Sequence, residues 1–257
     1  MHFTQALLRL PGDNLAQGLT QSGEGAPDPA LALAQHQQYR QALEAAGLAP
    51  TVLPADPRHP DGCFVEDTAL LTARGAILTR PGAPSRQGEV DNVEAALRPF
   101  FDEFARIEAP GTVDAGDVCE ADGHFLIGLS ARTNEAGAAQ LAGLLGDLGY
   151  RADILDIRGT GSLLHLKTGI AFLGEGRMLV TTDFPRYPAL AAYERIPAPA
   201  SEGYAANALR VNDRVLVAAG YPATLAAIES LGFEAVALEM SEFRKLDGGL
   251  SCLSLRW

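Results

Sequence analysis

An α/β fold of five similar units is predicted by three features of this 257-residue sequence. Short apolar runs come in pairs around turn signals such as Ala121-Asp122-Gly123 and Asn212-Asp213. Helical spacing follows most pairs, and a further strand pattern closes each unit. The order strand, strand, helix, strand recurs at roughly 50 residues, the period range of repeat architectures. A ring of such units is an α/β propeller with a central channel. An ordinary α/β sandwich alternates its elements in the same way. No linker or charge run interrupts the recurrence, so residues 1–257 read as a single domain.

In chain order, Leu7-Leu8-Arg9-Leu10 is the first strand, stopped by Pro11-Gly12. Gly18 to Pro27 is polar and glycine-rich, a loop able to cover something. Asp28-Pro29 supplies an N-cap and a first-turn proline for a helix reaching about Gly47, and Thr51-Val52-Leu53 is a strand. The second unit runs from Asp61 through Phe64-Val65-Glu66-Asp67 into Thr68-Ala69-Leu70-Leu71, with Ala76–Thr79 paired across Arg74-Gly75. A helix with Val90, Val93 and Leu97 on one face follows, then strand Arg106-Ile107-Glu108. The third unit has Asp117–Glu120, His124–Gly128, a helix begun by Asn134, and strand Arg151–Leu155. The fourth has Leu163–Lys167 read as a strand, then Gly169–Leu173, Met178–Thr181 and a short helix near Tyr187–Tyr193. The fifth has Ala208–Val211, Val215–Ala218, a helix near Pro222–Leu231 and strand Ala235–Leu238. Leu253, Leu255 and Trp257 alternate with Ser254 and Arg256 as a last half-buried strand would.

Composition narrows the function. Apolar residues are 47% of the chain, as in a globular protein, and the formal net charge is −12. That balance argues against nucleic acid or an anionic membrane as partner, which need clustered Lys and Arg. Three cysteines, Cys63, Cys119 and Cys252, give no disulfide framework and suit a reducing compartment. The five histidines are scattered and no metal-ligand spacing appears, so neither metal nor organic cofactor is expected. The N-terminus has neither a signal peptide's basic flank nor a long apolar run, and a cytoplasmic protein is expected. Oligomeric state stays open, a homodimer included.

Cys252 follows Gly248-Gly249, which permit a tight turn or a close approach of backbone to a ligand. That placing suits a nucleophile. A small buried hydrophobe is the other reading. His165, between Leu164 and Leu166, is by itself a core histidine; beside a thiol and an acid it becomes a proton carrier. Carboxylates gather at Asp61, Glu66, Asp67, Asp114 and Asp117. Read as a strand, the Glu66-Asp67 pair sends one carboxylate inward, at a cost of several kcal/mol by order of magnitude unless offset. No Lys or Arg lies in that segment, so a ligand cation would offset it; backbone amides, or an exposed strand end, would serve too. Arg86 reads as a loop residue and Arg132 as lying at the start of a helix. Opposite the acids, the two would suit a zwitterionic amino acid, because arginine clamps carboxylates bidentately.

Five ordered stretches carry a family resemblance across nearly the whole chain: Phe64-Val65-Glu66-Asp67, Gly111-Thr112-Val113-Asp114-Ala115-Gly116-Asp117, Ser130-Ala131-Arg132-Thr133-Asn134, His165-Leu166-Lys167 and Asp247-Gly248-Gly249-Leu250-Ser251-Cys252. The sequence resembles the dimethylarginine dimethylaminohydrolases of the guanidine-modifying pentein superfamily. The resemblance implies the five-bladed α/β propeller, Cys252 as nucleophile, His165 as general acid/base and Asp114 as the acid orienting it. Bacterial members of that family often carry Glu at this last position and mammalian ones Asp. It also implies a substrate-binding set of Leu19, Asp61, Phe64, Glu66, Asp67, Arg86 and Arg132. In that set Asp67 takes the guanidinium, the two arginines the α-carboxylate, and the backbone of lid residue Leu19 the α-amine. The implied reaction is hydrolysis of methylated arginine to citrulline through a covalent thiouronium. Acids beside Cys252 should disfavour thiolate until a cationic substrate arrives. Two rivals differ from this: an arginine deiminase-like hydrolase, which usually carries an added helical domain not seen here, and a non-catalytic propeller binding a cationic amino acid.

Overall fold

The computed structural model describes residues 2–160 and 163–257. Its strands form five three-stranded sheets. Strands β1 (Gln5–Arg9) and β2 (Ala49–Leu53) pair in parallel. The next sheets are β3 (Ala69–Thr72), β4 (Gly75–Leu78) and β5 (Phe104–Arg106), then β6 (Val118–Ala121), β7 (His124–Leu129) and β8 (Arg151–Asp156). They are followed by β9 (Ile170–Gly174), β10 (Arg177–Thr181) and β11 (Glu194–Ala198), then β12 (Leu209–Val211), β13 (Arg214–Ala218) and β14 (Glu234–Leu238). Each has the same design: a tight hairpin makes the first pair antiparallel, and a crossover makes the second parallel. The first sheet is completed from the far end of the chain, where β15 (Leu255–Arg256) pairs antiparallel with β1. The chain's two ends therefore share one blade.

Strand alternation turns the sheets into a ring. On β1, Leu7 packs into the core shared with the β3–β5 blade, while Ala6 and Leu8 pack into the core shared with the β12–β14 blade. Ile77 and its neighbours Ala76 and Leu78 divide in the same way, as do Leu126 and its neighbours Phe125 and Ile127. Leu179 likewise parts from Met178 and Val180. Side chains at successive strand positions point to opposite faces, so each middle strand feeds two cores. Five cores result, one between each successive pair of blades, including the last and the first.

Crossover helices behave largely as their caps dictate. Asp28 Oδ1 accepts from the N–H groups of Ala30 and Leu31 and starts α1 (Pro29–Ala45). Asn134 caps α3 (Glu135–Asp147) through the Gly137 N–H; α2 (Glu89–Leu97) and α5 (Pro222–Ser230) are shorter. The β10–β11 crossover holds only a 3-10 turn at Pro188–Leu190. Strand β11 itself, not anticipated from the sequence, contains Pro197; it is an edge strand, where a missing N–H is tolerated. Two short helices lie outside the sheets and their crossovers: α4 (Leu166–Gly169) and α6 (Ser241–Arg244). The former replaces the strand expected over Leu163–Lys167. No helix among the described residues is long and apolar enough to cross a membrane.

Candidate active site

The acids of the second unit do not sit in a strand. Val65–Thr68 is a 3-10 turn, held by Thr68 Oγ1 donating to the Val65 carbonyl at 2.7 Å. In a turn of about three residues, adjacent side chains diverge by roughly a third of a circle, so Glu66 and Asp67 are both buried yet face different ways. Both already have protein cations, where the sequence pointed to a ligand cation, backbone amides or an exposed strand end. Asp67 Oδ2 meets an Arg86 guanidinium nitrogen at 2.6 Å, and its Oδ1 accepts the Gly116 N–H at 2.9 Å. Glu66 Oε1 meets Lys167 Nζ at 2.7 Å and Arg256 at 3.2 Å. Sequence could not show these partners, which arrive from 19, 101 and 190 residues away.

Asp114 and His165 are brought together from different blades. Asp114 lies just before a 3-10 turn at Ala115–Asp117 and is fully buried. Its Oδ2 is 3.0 Å from His165 Nε2, and its Oδ1 accepts the Gly82 N–H at 2.8 Å. His165 caps the start of α4. Asp117, noted in the sequence but given no role there, is the brace beneath both. It accepts the Leu166 N–H at 2.9 Å and the hydroxyls of Ser130 and Thr133 at 2.6 and 2.7 Å, while Thr133 Oγ1 accepts the Asp114 N–H. Gly116 is required by crowding: a Cβ there would lie 2.8 Å from both Asp67 Oδ1 and His165 Nδ1.

Cys252 is half-buried on a 3-10 turn, Ser251–Leu253, rather than at the mouth of a longer strand. Two cavities meet at it. One, of about 800 Å³, is open and is lined by His165, Asn207, Tyr204, Ser251 and Cys252. The other is a small recess of about 30 Å³ that brings together Leu19, Asp61, Phe64, Asp67, Arg86 and Arg132 with His165 and Cys252. Of the expected set, only Asp114 and Glu66 line neither. Asp114 stands behind His165. Glu66 lines a separate cavity of about 140 Å³ with Lys167 and Arg256.

Within the recess the two arginines differ. Arg86 is buried on a 3-10 turn (Pro84–Arg86), not solvated in a loop, and its donors are taken by Asp67, by Glu89 and by the Phe64 carbonyl. Arg132 makes no ion pair among the described residues. At the rim, the Leu19 N–H donates to Asp61 Oδ1 at 3.0 Å, and the loop beyond is tied down by Gln21 N–H to Asp247 Oδ2 at 2.6 Å.

Charge follows from this packing. Burial and the carboxylates of Glu66 and Asp67 push the Cys252 thiol up to about 12. Burial alone would lower His165, but Asp67, Asp117 and Asp114 together raise it to about 9. Burial likewise opposes the Asp67 anion, yet His165 and Arg86 hold Asp67 down to about 2. At neutral pH the empty site thus holds a thiol, an imidazolium and carboxylates. Ligand atoms of Asp67, Asp114 and His165 lie within 4.8 Å of one another. Asp67 pairs with Arg86 and the Gly116 amide and Asp114 with His165, which makes the trio an acid–base cluster.

A thiol, an imidazole–carboxylate pair and a buried acid thus line one site in a ring of five α/β blades, the arrangement that the resemblance to the guanidine-modifying penteins implies. Comparison with known proteins narrows the class. No family model matches the chain. It is 44% identical over 256 residues to the N(G),N(G)-dimethylarginine dimethylaminohydrolase of Pseudomonas aeruginosa, covering 99% of this chain and 100% of that one. The enzyme of the same name from Streptomyces coelicolor is 35% identical, over 100% and 98% of the two chains. The solved structure of the Pseudomonas protein as a cysteine-to-serine variant with citrulline superposes with a TM-score of 0.96 at 43% identity, over the whole of both chains. The N-terminal domain of ArgZ, an arginine dihydrolase, shares the fold at 19% identity with a TM-score of 0.86, covering 100% of this chain and 97% of that one. The chain belongs to the dimethylarginine dimethylaminohydrolase family.

Proposed function

We propose that this protein hydrolyses asymmetric dimethylarginine and monomethylarginine to citrulline, releasing dimethylamine or methylamine. The observation that carries the reading is the lining of one recess by Cys252, His165 and Asp67, with Asp114 hydrogen-bonded behind the imidazole. The guanidinium binds against Asp67, whose oxygens retain lone pairs beyond those used by Arg86 and the Gly116 amide. Arg132 takes the α-carboxylate, since its fork is the one not engaged by a carboxylate; Arg86 adds positive field beside it. Asp61 and the backbone of Leu19 take the α-amine. Phe64 supplies a wall. Glu66 faces away, and its charge acts on Cys252 through space. The recess holds about 30 Å³, on the order of one water's share of liquid volume. Substrate binding therefore needs the recess to widen, and the loop that Gln21 ties to Asp247 is the segment placed to yield.

A guanidinium carbon is a poor electrophile because resonance spreads its charge. Binding fixes its plane and brings a positive charge to the thiol, lowering the cost of thiolate. The thiol proton leaves to solvent and Cys252 Sγ attacks the central carbon. His165, already protonated, gives its proton to the departing amine. The C–N bond breaks and a thiouronium remains. Neutral His165 then takes a proton from water, which attacks the same carbon; the C–S bond breaks and citrulline is released. The imidazole ends as it began. The test is to incubate the protein with asymmetric dimethylarginine, monomethylarginine and arginine in parallel and measure citrulline. Turnover of the methylated forms above arginine supports the reading. Turnover of arginine alone makes the protein a deiminase, and none from any of the three removes the hydrolase.

A further inference from the structure

Cys252 and His165 come from different blades, and the structure contains one side chain that fastens their backbones together. Asn207, buried between the 3-10 stretch Ala200–Ala206 and β12, donates through Nδ2 to the Lys167 carbonyl at 2.9 Å and to Ser251 Oγ at 3.2 Å. Its Oδ1 accepts the Ser251 N–H at 3.0 Å. Lys167 is two residues beyond His165 on α4, and Ser251 immediately precedes Cys252. The fit is tight: a Cβ on Gly249 would lie 2.5 Å from Asn207 Cγ and Oδ1. That crowding gives the second glycine before Cys252 a physical reason.

We infer that Asn207 is a positioning residue for the hydrolysis proposed above: its amide sets the Cys252 turn against the His165 helix and so fixes sulfur relative to imidazole. An amide suits this place because it offers a donor for one backbone and an acceptor for the other from a single planar group. Thr, Ser or Asp cannot offer both at that reach. The groups that hold the substrate's amino-acid end, Asp61, Arg86 and Arg132, come from other blades, and Asn207 makes no hydrogen bond with them. Its loss should therefore fall on the chemical step rather than on binding, and displacement of a reacting atom by about 1 Å can cost on the order of 100-fold in rate.

The experiment compares wild type, Asn207→Ala and Asn207→Asp. kcat and KM for dimethylarginine are measured per folded molecule, with the folded fraction taken from thermal melts. In parallel, the rate of Cys252 carboxamidomethylation by iodoacetamide against pH is followed by peptide mass spectrometry. Expected results are a fall in kcat of about 10- to 100-fold in Asn207→Ala with KM within about twofold. Asn207→Asp keeps the acceptor for Ser251 but turns an oxygen toward the Lys167 carbonyl; it should lose activity too and move alkylation to higher pH. Unchanged kcat per folded molecule in both variants overturns the inference, as does a loss confined to KM. If wild type turns over no methylated arginine, the hydrolase reading fails instead. The alkylation profiles then still judge Asn207: profiles superposable on wild type would remove its role in placing the thiol.

Discussion

Replacing Asp114 with Asn should separate the charge of the acid behind His165 from its shape. The Asn oxygen can still face the imidazole, but the negative charge is gone. In the intact protein His165 rises from 6.5 to about 9 with Asp67, Asp117 and Asp114 around it, which corresponds to about 3 kcal/mol in favour of the protonated ring. The sign follows from linkage. A folded pKa above the unfolded one gives stability that is fully present below about pH 6.5 and is lost as pH rises to about 9. One opposite charge within hydrogen-bond reach is worth on the order of 1–3 pH units, so Asp114→Asn should lower the His165 titration by about one unit or more. At pH 8 the ring would then be about half neutral after a shift of one unit and almost wholly neutral after three, and in that fraction it fails as the acid for the departing amine. Proton NMR of the His165 Cε1–H gives the midpoint directly, and kcat against pH gives its consequence. The basic limb of kcat should move to lower pH with the midpoint, and kcat at pH 8 should fall with the protonated fraction, by about twofold for a shift of one unit and about 10²-fold for three. A wild-type midpoint near that of a free histidine, or no change on losing the Asp114 charge, would refute the electrostatic reasoning.

Four further outcomes follow from the same geometry. Arg86→Ala leaves Asp67 and Glu89 buried without their cation, and should destabilise the fold by about 3–5 kcal/mol. Arg132→Ala, at a side chain with no carboxylate partner among the described residues, should leave the melting temperature nearly unchanged and raise KM. Gly116→Ala puts a methyl 2.8 Å from both Asp67 Oδ1 and His165 Nδ1, and should cut kcat by about 10²-fold with normal expression, read by steady-state kinetics. Affinity labelling of Cys252 by cationic, guanidine-like reagents should outpace neutral haloacetamides once intrinsic reactivity is corrected, because only the former offset Glu66 and Asp67; equal rates would count against it.

Much of the ring was legible because its signals are local. Asp122-Gly123 and Asn212 sit at positive φ in the hairpin turns, as their residue types suggest, and Asp28 and Asn134 cap the helices that they precede. What escaped is long-range or short. Strand β15 has two residues and pairs with β1 from the other end of the chain, so no window of sequence contains that blade. Asp67, Cys252 and His165 sit on or beside single helical turns whose apolar neighbours imitate strands. The five motifs contain Cys252, His165, Asp114, Phe64, Glu66, Asp67 and Arg132 but not Leu19, Asp61 or Arg86, and of these ten residues the structure lines one recess with all but Asp114 and Glu66. Their electrostatic partners were not readable. Arg86 looks like any surface arginine until burial and Asp67 engage it, and Lys167 and Arg256 acquire meaning only beside Glu66.

The central claim is that carbon–nitrogen cleavage passes through sulfur. Rapid acid quench of the protein turning over dimethylarginine, followed by peptide mass spectrometry, tests it most directly. The account predicts an adduct on Cys252 equal to substrate less dimethylamine, absent from Cys63 and Cys119, which are buried, and formed slowly or not at all in His165→Gly, which lacks the acid for the departing amine. Citrulline formation with Cys252 unmodified at every quench time and intact turnover in Cys252→Ser would contradict it.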